Sequence, residues 1–225
     1  NTHTTPDSLQ INELLYKMLK QECEYCFMEV SSHAIDQNRV SGLSFDIVVF
    51  TNISHDHLDY HKTFKEYIMA KKKVFNVLSS EAIALVNNDD KNALEMITNT
   101  KAKKQTYSLK SMSDFKCKIL ENRFDGMLLN INNYDLWINL IGEFNAYNVL
   151  AVYAVGTFLK KDKEKLLRGI SMLTSAEGRF QSVSNKAGVT AIVDYAHTPD
   201  ALSNVLKTIN KIRSGNEKLI TVIGC

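Results

Sequence analysis

A chain of 225 residues with 44% hydrophobic and 23% charged residues can bury a substantial core, which excludes intrinsic disorder. With 27 basic residues against 25 acidic ones the net charge is +2, so composition gives no electrostatic reason for a nucleic-acid partner. No signal-peptide pattern and no bilayer-length apolar run occurs, and the four cysteines are too few for a disulfide framework, so no membrane insertion and a reducing, cytoplasmic setting are expected.

In chain order, Asp7 is placed to cap a helix whose apolar residues Ile11, Leu14, Leu15, Met18 and Leu19 recur at helical spacing. Cys23 and Cys26 form a CxxC. Residues 24–30 read as a strand, however, and the pair lacks a second CxxC and redox-type flanks, so buried thiols are expected. "YCFMEV" and "FDIVVFTN" are continuous β-branched and aromatic runs, the pattern of strands buried on both faces. Residues 63–78 read as a helix, "AIALVN" as a strand and "DDKNALEMI" as a helix. The character then changes. "FKCKILENRFDGMLLNINNYDLWINL" alternates in period two, with Asp125-Gly126 and Asn132-Asn133 as turns, and predicts antiparallel hairpins appended to a parallel sheet. Helices are expected over about 145–159 and 162–172. After "SAEGRF" come a hairpin about residues 186–188, the strand "VTAIVDY", a helix from Pro199 with Thr198 as N-cap, and a last strand in "LITVIGC". The class is α/β, with a domain change near residues 175–180.

The stretch "TNISHDHLDYH" holds three histidines and two aspartates in 11 residues, in the loop at the carboxyl end of the expected strand "FDIVVFTN". "SSHAIDQNR" is the matching loop after "CFMEV". Ligands of open α/β sheets sit beyond such strand ends. Glu29 stands next to one strand tip and His57 just past the other, a carboxylate and an imidazole that suit a divalent cation. Each histidine alone also reads as a loop cap bonding a backbone carbonyl. A metal-dependent phosphohydrolase is a competing reading, although its histidines and aspartates are built on helices and these follow a strand.

"HTTPDS", "MEVSSHAIDQNRV", "FTNISHDHLDYH", "YIMAKK", "GEFNAYNVLAV", "EGRF" and "VDYAHTPDAL" occur in this order, and with them the chain resembles the Mur ligases from about Thr4 to Cys225. "MEVSSH" together with "DYAHTPDAL" points to the branch that adds the third residue of the peptidoglycan stem peptide, rather than to folylpolyglutamate synthetases or other Mur ligases. The resemblance implies a P-loop-type central ATPase domain over 1–176 and the start of a Rossmann-like C-terminal domain over 177–225. It implies an ATP-dependent amide ligase of peptidoglycan biosynthesis, serving cell wall biogenesis, cell shape and cell division. ATP would phosphorylate a carboxylate of UDP-N-acetylmuramoyl-L-alanyl-D-glutamate, and the amine of an amino acid would displace phosphate from the acyl phosphate. Phosphoryl transfer between anions asks the protein mainly for alignment and charge neutralisation.

Residue by residue, the resemblance assigns Glu29 to the magnesium that bridges the ATP β- and γ-phosphates and His57 to a second magnesium. Lys71 matches a lysine carried as an N-carbamate, a carboxylate-like support for the metal. By composition the run Lys71 to Lys73 is a solvated helix face, and the resemblance leaves Lys72 and Lys73 as the solvated pair. Thr4, Thr5, Ser31, Gln37 and Arg39 match residues that hold the UDP-muramoyl substrate, with Arg39 facing anionic groups; a surface ion pair is the plainer reading of Arg39. Asn148 matches the adenine-binding asparagine, and Arg179 and Asp194 the residues facing ATP phosphates and ribose. His197 either approaches substrate or makes a hydrogen bond at the helix start. ATP and Mg2+ are the expected cofactors, a UDP-muramoyl dipeptide and an amino acid the expected partners, and a monomer the expected state.

The chain departs from the family pattern, first in that no GxxxxGK[ST] occurs in it. A fragment is therefore expected, lacking the P-loop, the N-terminal domain and most of the C-terminal domain, inactive alone, with the residues that select the amino acid beyond Cys225. A binding-only paralogue is the remaining alternative.

Overall fold

Helix α1 (Ser8–Lys20) begins where Asp7 accepts the Gln10 N–H at 2.9 Å and ends with Lys17 and Lys20 against the negative end of its dipole. The computed structural model to which it belongs describes residues 4–54, 58–185, 188–213 and 215–224. The chain divides into two units, residues 1–106 and 107–225.

In the first unit, β1 (Ile47–Phe50) pairs in parallel with β2 (Ile83–Asn87), Ile47 opposite Ile83 and Phe50 opposite Val86. Around them lie α2 (Ser32–Asp36), α3 (Leu58–His61), α4 (Phe64–Asn76) and the short α5 (Ala93–Met96), and β3 (Lys103–Ser108) closes the unit. Thr63 caps α4 by accepting the Glu66 N–H. The core gathers Phe50, Tyr67, Val74, Phe75, Val86 and Met96.

Residues 25–30 form no strand among the described residues. The apolar run that predicted one is present, but a β-ladder needs a neighbour, and without one the segment is unpaired, with Phe27 77% exposed. For the same reason the Cys23 and Cys26 thiols are exposed, not buried. Cys117 alone of the described cysteines is buried, and burial pushes its thiol up to about 12. The apolar face of α1 is likewise only partly covered: Ile11 is buried, whereas Leu19 is 70% exposed.

In the second unit, Tyr107 at the end of β3 pairs in parallel with Phe115 of β4 (Phe115–Arg123). β4, β5 (Gly126–Ile131) and β6 (Tyr134–Ile138) form the expected antiparallel hairpins, with a register shift between Ile119 and Glu121. Asn132 and Asn133 take φ of 46° and 70°, as a two-residue primed turn requires. At Gly126 (φ 151°) a Cβ would lie 2.3 Å from the Ile138 carbonyl oxygen, so only glycine fits. Strand order is β1-β2-β3-β4-β5-β6, a mostly parallel sheet with an antiparallel edge region. Helices α6 (Glu143–Phe158) and α7 (Lys163–Ser171) follow, then the separate hairpin β7 (Gln181–Ser184) with β8 (Thr190–Val193). Helix α8 (Pro199–Ile212) is capped by Thr198, which accepts the Ala201 N–H. Ile141, Phe180 and Ile209 form a small core with Ile192 and Val205 against it. Residues 219–223, expected as a strand, pair with nothing among the described residues, and Val222 is 92% exposed. No described helix is long and apolar enough to cross a membrane.

Candidate functional site

The residues expected to hold substrate meet at the start of α2. Thr5 is fully buried: its hydroxyl donates to the Glu29 carbonyl at 2.9 Å and accepts the Ser31 N–H at 3.0 Å. Ser31 in turn caps α2, its Oγ accepting the Ala34 N–H at 3.2 Å. Arg39 donates through Nη1 to the Thr5 carbonyl at 2.8 Å and through Nε to the Gln37 side-chain oxygen at 2.9 Å. One short loop, a one-turn helix and the Thr4–Thr5 segment thus lock together beside Glu29, whose side chain is exposed. Thr5 and Ser31 spend their hydroxyls inside this lock, while Thr4 beside it is exposed.

Helix α4 brings Lys71 to the same place. Its ammonium lies 5.4 Å from the centroid of the Tyr67 ring, one turn earlier. Burial lowers the pKa of Lys71 below the ordinary lysine value, and the Glu29 carboxylate pulls it back up. Glu29 and Lys71 therefore feel one another's charge. An amine whose proton affinity is lowered has a larger neutral fraction at a given pH, and the neutral form is the one that reacts with carbon dioxide.

The two lysines beside it are not a solvated pair. Lys72 is 9% exposed and bonds Glu95 at 2.6 Å, whereas Lys73 is exposed and bonds Asp36 at 2.8 Å. The helical turn explains the split: Lys72 shares its face of α4 with Ile68 and Phe75, four and three positions away on the core side, and its long apolar stem is what that side buries.

His57 lies outside the described residues, together with His55 and Asp56. The loop that leads to them is held from β2 and the turn after it. Asn87 donates to the Thr51 carbonyl at 2.9 Å, and Asp90 accepts the Ile53 N–H at 2.9 Å and the Asn92 N–H at 2.8 Å. Sequence reasoning overlooked these two braces, although "NNDD" after a buried strand was a visible signal of polar side chains turned on backbone. His61, third of the histidines, is buried, with Nε2 2.8 Å from the Ser32 hydroxyl and its ring stacked on Tyr67. That histidine is a packing residue.

No group of three His, Cys, Asp or Glu side chains gathers among the described residues as a ready cation cage. A magnesium that travels with nucleotide phosphates needs no such cage, because phosphate oxygens and water complete its octahedron around one or two carboxylates. An exposed Glu29, with a lysine beside it that carbamylation would turn into a second carboxylate, fits that demand.

In the second unit, Arg179, Asp194 and His197 converge on Tyr195. The exposed Arg179 guanidinium lies 5.3 Å from the Tyr195 ring centroid, and His197 Nδ1 donates to the Tyr195 carbonyl at 2.9 Å. Asp194 accepts the Phe180 and Ala196 N–H groups, both at 2.8 Å, so its carboxylate braces the turn. The His197 bond lies within the turn that precedes α8, not at a backbone group of the helix start. Asn148 is exposed on α6 and donates within that helix, to Asn145 at 3.2 Å. Phe144, one turn before Asn148, packs edge-on against Phe180 at 5.1 Å, next to Arg179 in sequence.

Residues 1–156 match the Mur ligase middle domain, and residues 178–225 match the Mur ligase, glutamate ligase domain. The UDP-N-acetylmuramoyl-L-alanyl-D-glutamate--2,6-diaminopimelate ligase of Parabacteroides distasonis is 54% identical over 222 residues, which cover 99% of this chain and 46% of that protein. The ligase of the same name from Bacillus cereus is 39% identical over 233 residues, covering 99% and 47%. A solved structure of a ligase with that name superposes with a TM-score of 0.79 at 34% identity, over 95% of this chain and 45% of that one. Thermotoga maritima MurF ligase in complex with ADP shares the fold, with a TM-score of 0.67 at 16% identity over 83% of this chain and 46% of that one. The chain spans about half the length of the curated relatives it matches.

Proposed function

The chain belongs to the Mur ligase family, and from that premise we propose that it is part of an ATP-dependent ligase that adds the third amino acid to UDP-N-acetylmuramoyl-L-alanyl-D-glutamate. The observation that carries this reading is the convergence of Glu29, Lys71 and the Thr5–Ser31–Arg39 lock on one edge of the first unit. It joins a cation-binding carboxylate to a cationic, donor-rich surface for an anionic substrate. Relatives named for the same dipeptide substrate and for 2,6-diaminopimelate support it.

In this reading Arg39 and Thr4 face the muramoyl peptide, with Thr5, Ser31 and Gln37 fixing their geometry. Glu29, His57 and carbamylated Lys71 would hold the magnesium ions, which supply the charge neutralisation that brings a carboxylate to a triphosphate. Asn148 would meet adenine, and Arg179, Asp194 and His197 would serve ATP and the reacting end of the substrate. The domains would run over 1–176 and 177–225, in a monomeric cytoplasmic enzyme of peptidoglycan biosynthesis.

The test is made with the full-length protein, ATP, magnesium, the UDP-muramoyl dipeptide and a panel of amino acids. Phosphate release that requires both the dipeptide and one amino acid, with formation of the amide, is the expected result. Phosphate release from an ester without ATP or amine, or substrate binding without turnover, would overturn it.

A further inference from the structure

A chain of polar contacts runs from Arg39 away from the site and ends on α4. Arg39 donates to the Gln37 side-chain oxygen through Nε and Nη2. Gln37 Nε2 donates to the Tyr60 hydroxyl at 3.2 Å, Tyr60 donates to Asp36 Oδ2 at 3.2 Å, and Lys73 Nζ donates to Asp36 Oδ1 at 2.8 Å.

Chemistry fixes the direction of every proton in it. A guanidinium has no acceptor, so Gln37 must turn its oxygen to Arg39 and its amide nitrogen to Tyr60. The phenol oxygen then accepts, and its own proton must go to Asp36, a carboxylate that only accepts and that Lys73 neutralises. No member can reverse without breaking the bonds on both sides of it. Three elements meet in this chain: α2 with its following loop, α3 next to the histidine loop, and α4, which carries Lys71.

The guanidinium is thereby aimed. Of the five N–H groups of an arginine, Nε, one on Nη1 and one on Nη2 are engaged by Gln37 and Thr5, which leaves two without a partner among the described residues. Each terminal nitrogen of a guanidinium held in this way keeps one N–H to give to a carboxylate or phosphate.

We infer that Tyr60, Asp36 and Lys73 are positioning residues that hold Gln37, and through it the Arg39 guanidinium, toward the anionic muramoyl-peptide substrate. The inference rests on the reading of the site given above. It assigns work to a tyrosine inside the histidine-rich stretch and to a lysine that sequence alone leaves in solvent.

Steady-state kinetics of the full-length ligase tests it. Tyr60→Phe removes one hydroxyl and leaves the ring against His33, at 4.1 Å between centroids. The KM for the UDP-muramoyl dipeptide is expected to rise about tenfold, with kcat and the KM for ATP changed less than about twofold, the signature of lost uniform binding to one substrate. Lys73→Gln should raise the same KM by about threefold, and Lys73→Arg should restore it. Calorimetry of the dipeptide without ATP should show the same loss in Tyr60→Phe. A dipeptide KM in Tyr60→Phe equal to that of the unmutated ligase overturns the inference, as does a rise of both KM values together with a lowered melting temperature. Absence of ligation by the unmutated protein would instead overturn the reading of the reaction, and this inference with it.

Discussion

Lys71 and Lys72 are neighbours of the same chemistry with opposite tasks, and the turn of α4 separates them. Lys71 lies within electrostatic reach of Glu29, and burial has lowered its hold on a proton. Replacing it by alanine in the full-length protein should abolish ligation, and a short-chain carboxylate added to the buffer should restore part of the rate by standing in for the carbamate. Glu29→Ala should be equally inactive and, being an exposed substitution, should shift stability by less than about 0.5 kcal/mol. Full activity in Glu29→Ala, or a Lys71→Ala variant insensitive to carboxylate, would remove these residues from the metal site. Lys72→Ala belongs to another class: it takes away a buried stem and leaves Glu95 alone. Because the Glu95 side chain is 55% exposed and can return to water, the cost is the lost packing, about 1–2 kcal/mol. Denaturant unfolding should register it, and Lys72→Met should recover most of it.

At the scale of elements, α6 shows how a helix start is tied down. Glu143 lies in its first turn, where a carboxylate complements the dipole, and pairs with Lys110 at 2.7 Å and Lys211 of α8 at 3.1 Å. Hydrogen bonding to Lys110 leads the causes that hold its pKa below the ordinary value of 4.5, with Lys211 adding to it and partial burial opposing. A carboxyl group with a depressed folded pKa contributes stability above its unfolded pKa and loses it as pH falls through the folded value. The unfolding midpoint should therefore drop below pH 4.5 more steeply in the unmutated chain than in Glu143→Gln; parallel curves would mean that both pairs are too solvated to matter. Elements with their own local logic were legible in the sequence: the Asp7 and Thr198 caps, the Asn132-Asn133 turn, the Gly126 turn and the helical spacing of α4. The strands expected in residues 25–30 and 219–223 were not realised, because apolar runs announce a wish to be buried and cannot say which neighbour will supply the ladder. The lock of Thr5 on Ser31 and the path from Arg39 to Lys73 were illegible for the same reason. They join residues up to 37 positions apart through side-chain geometry. The family resemblance named Thr5, Ser31, Gln37 and Arg39 together, but it left out Asp36 and Tyr60, gave Lys73 to solvent, and did not say that Gln37 turns to Arg39.

For the whole molecule, the decisive quantity is how much of a nucleotide this chain can hold. Its expected contacts to ATP are the exposed Asn148 amide, the Arg179 guanidinium, the backbone-braced Asp194, and whatever cation Glu29 keeps. Phosphate binding in nucleotide-binding α/β folds relies on a glycine-rich loop whose backbone N–H groups and lysine surround the β- and γ-phosphates, and that motif does not occur in these 225 residues. Charge-assisted hydrogen bonds contribute about 1.5–3 kcal/mol each, so lacking several of them should weaken binding by about three orders of magnitude or more. Asp194 offers no compensation, since a carboxylate has no proton to donate to a phosphate oxygen and carries the same sign of charge. Arg179 is exposed and screened, and Asn148 can read only one edge of a base. The 225-residue chain by itself should therefore bind ATP no more tightly than about 1 mM and should not hydrolyse it. The exposed apolar side chains of residues 25–30 and 219–223 should make it prone to association, so light scattering has to accompany the titration. Calorimetry with ATP and magnesium decides the matter. Micromolar affinity in the monodisperse chain would mean that nucleotide binding does not depend on the loop, and the division of labour proposed for Arg179, Asn148 and Glu29 would have to be redrawn.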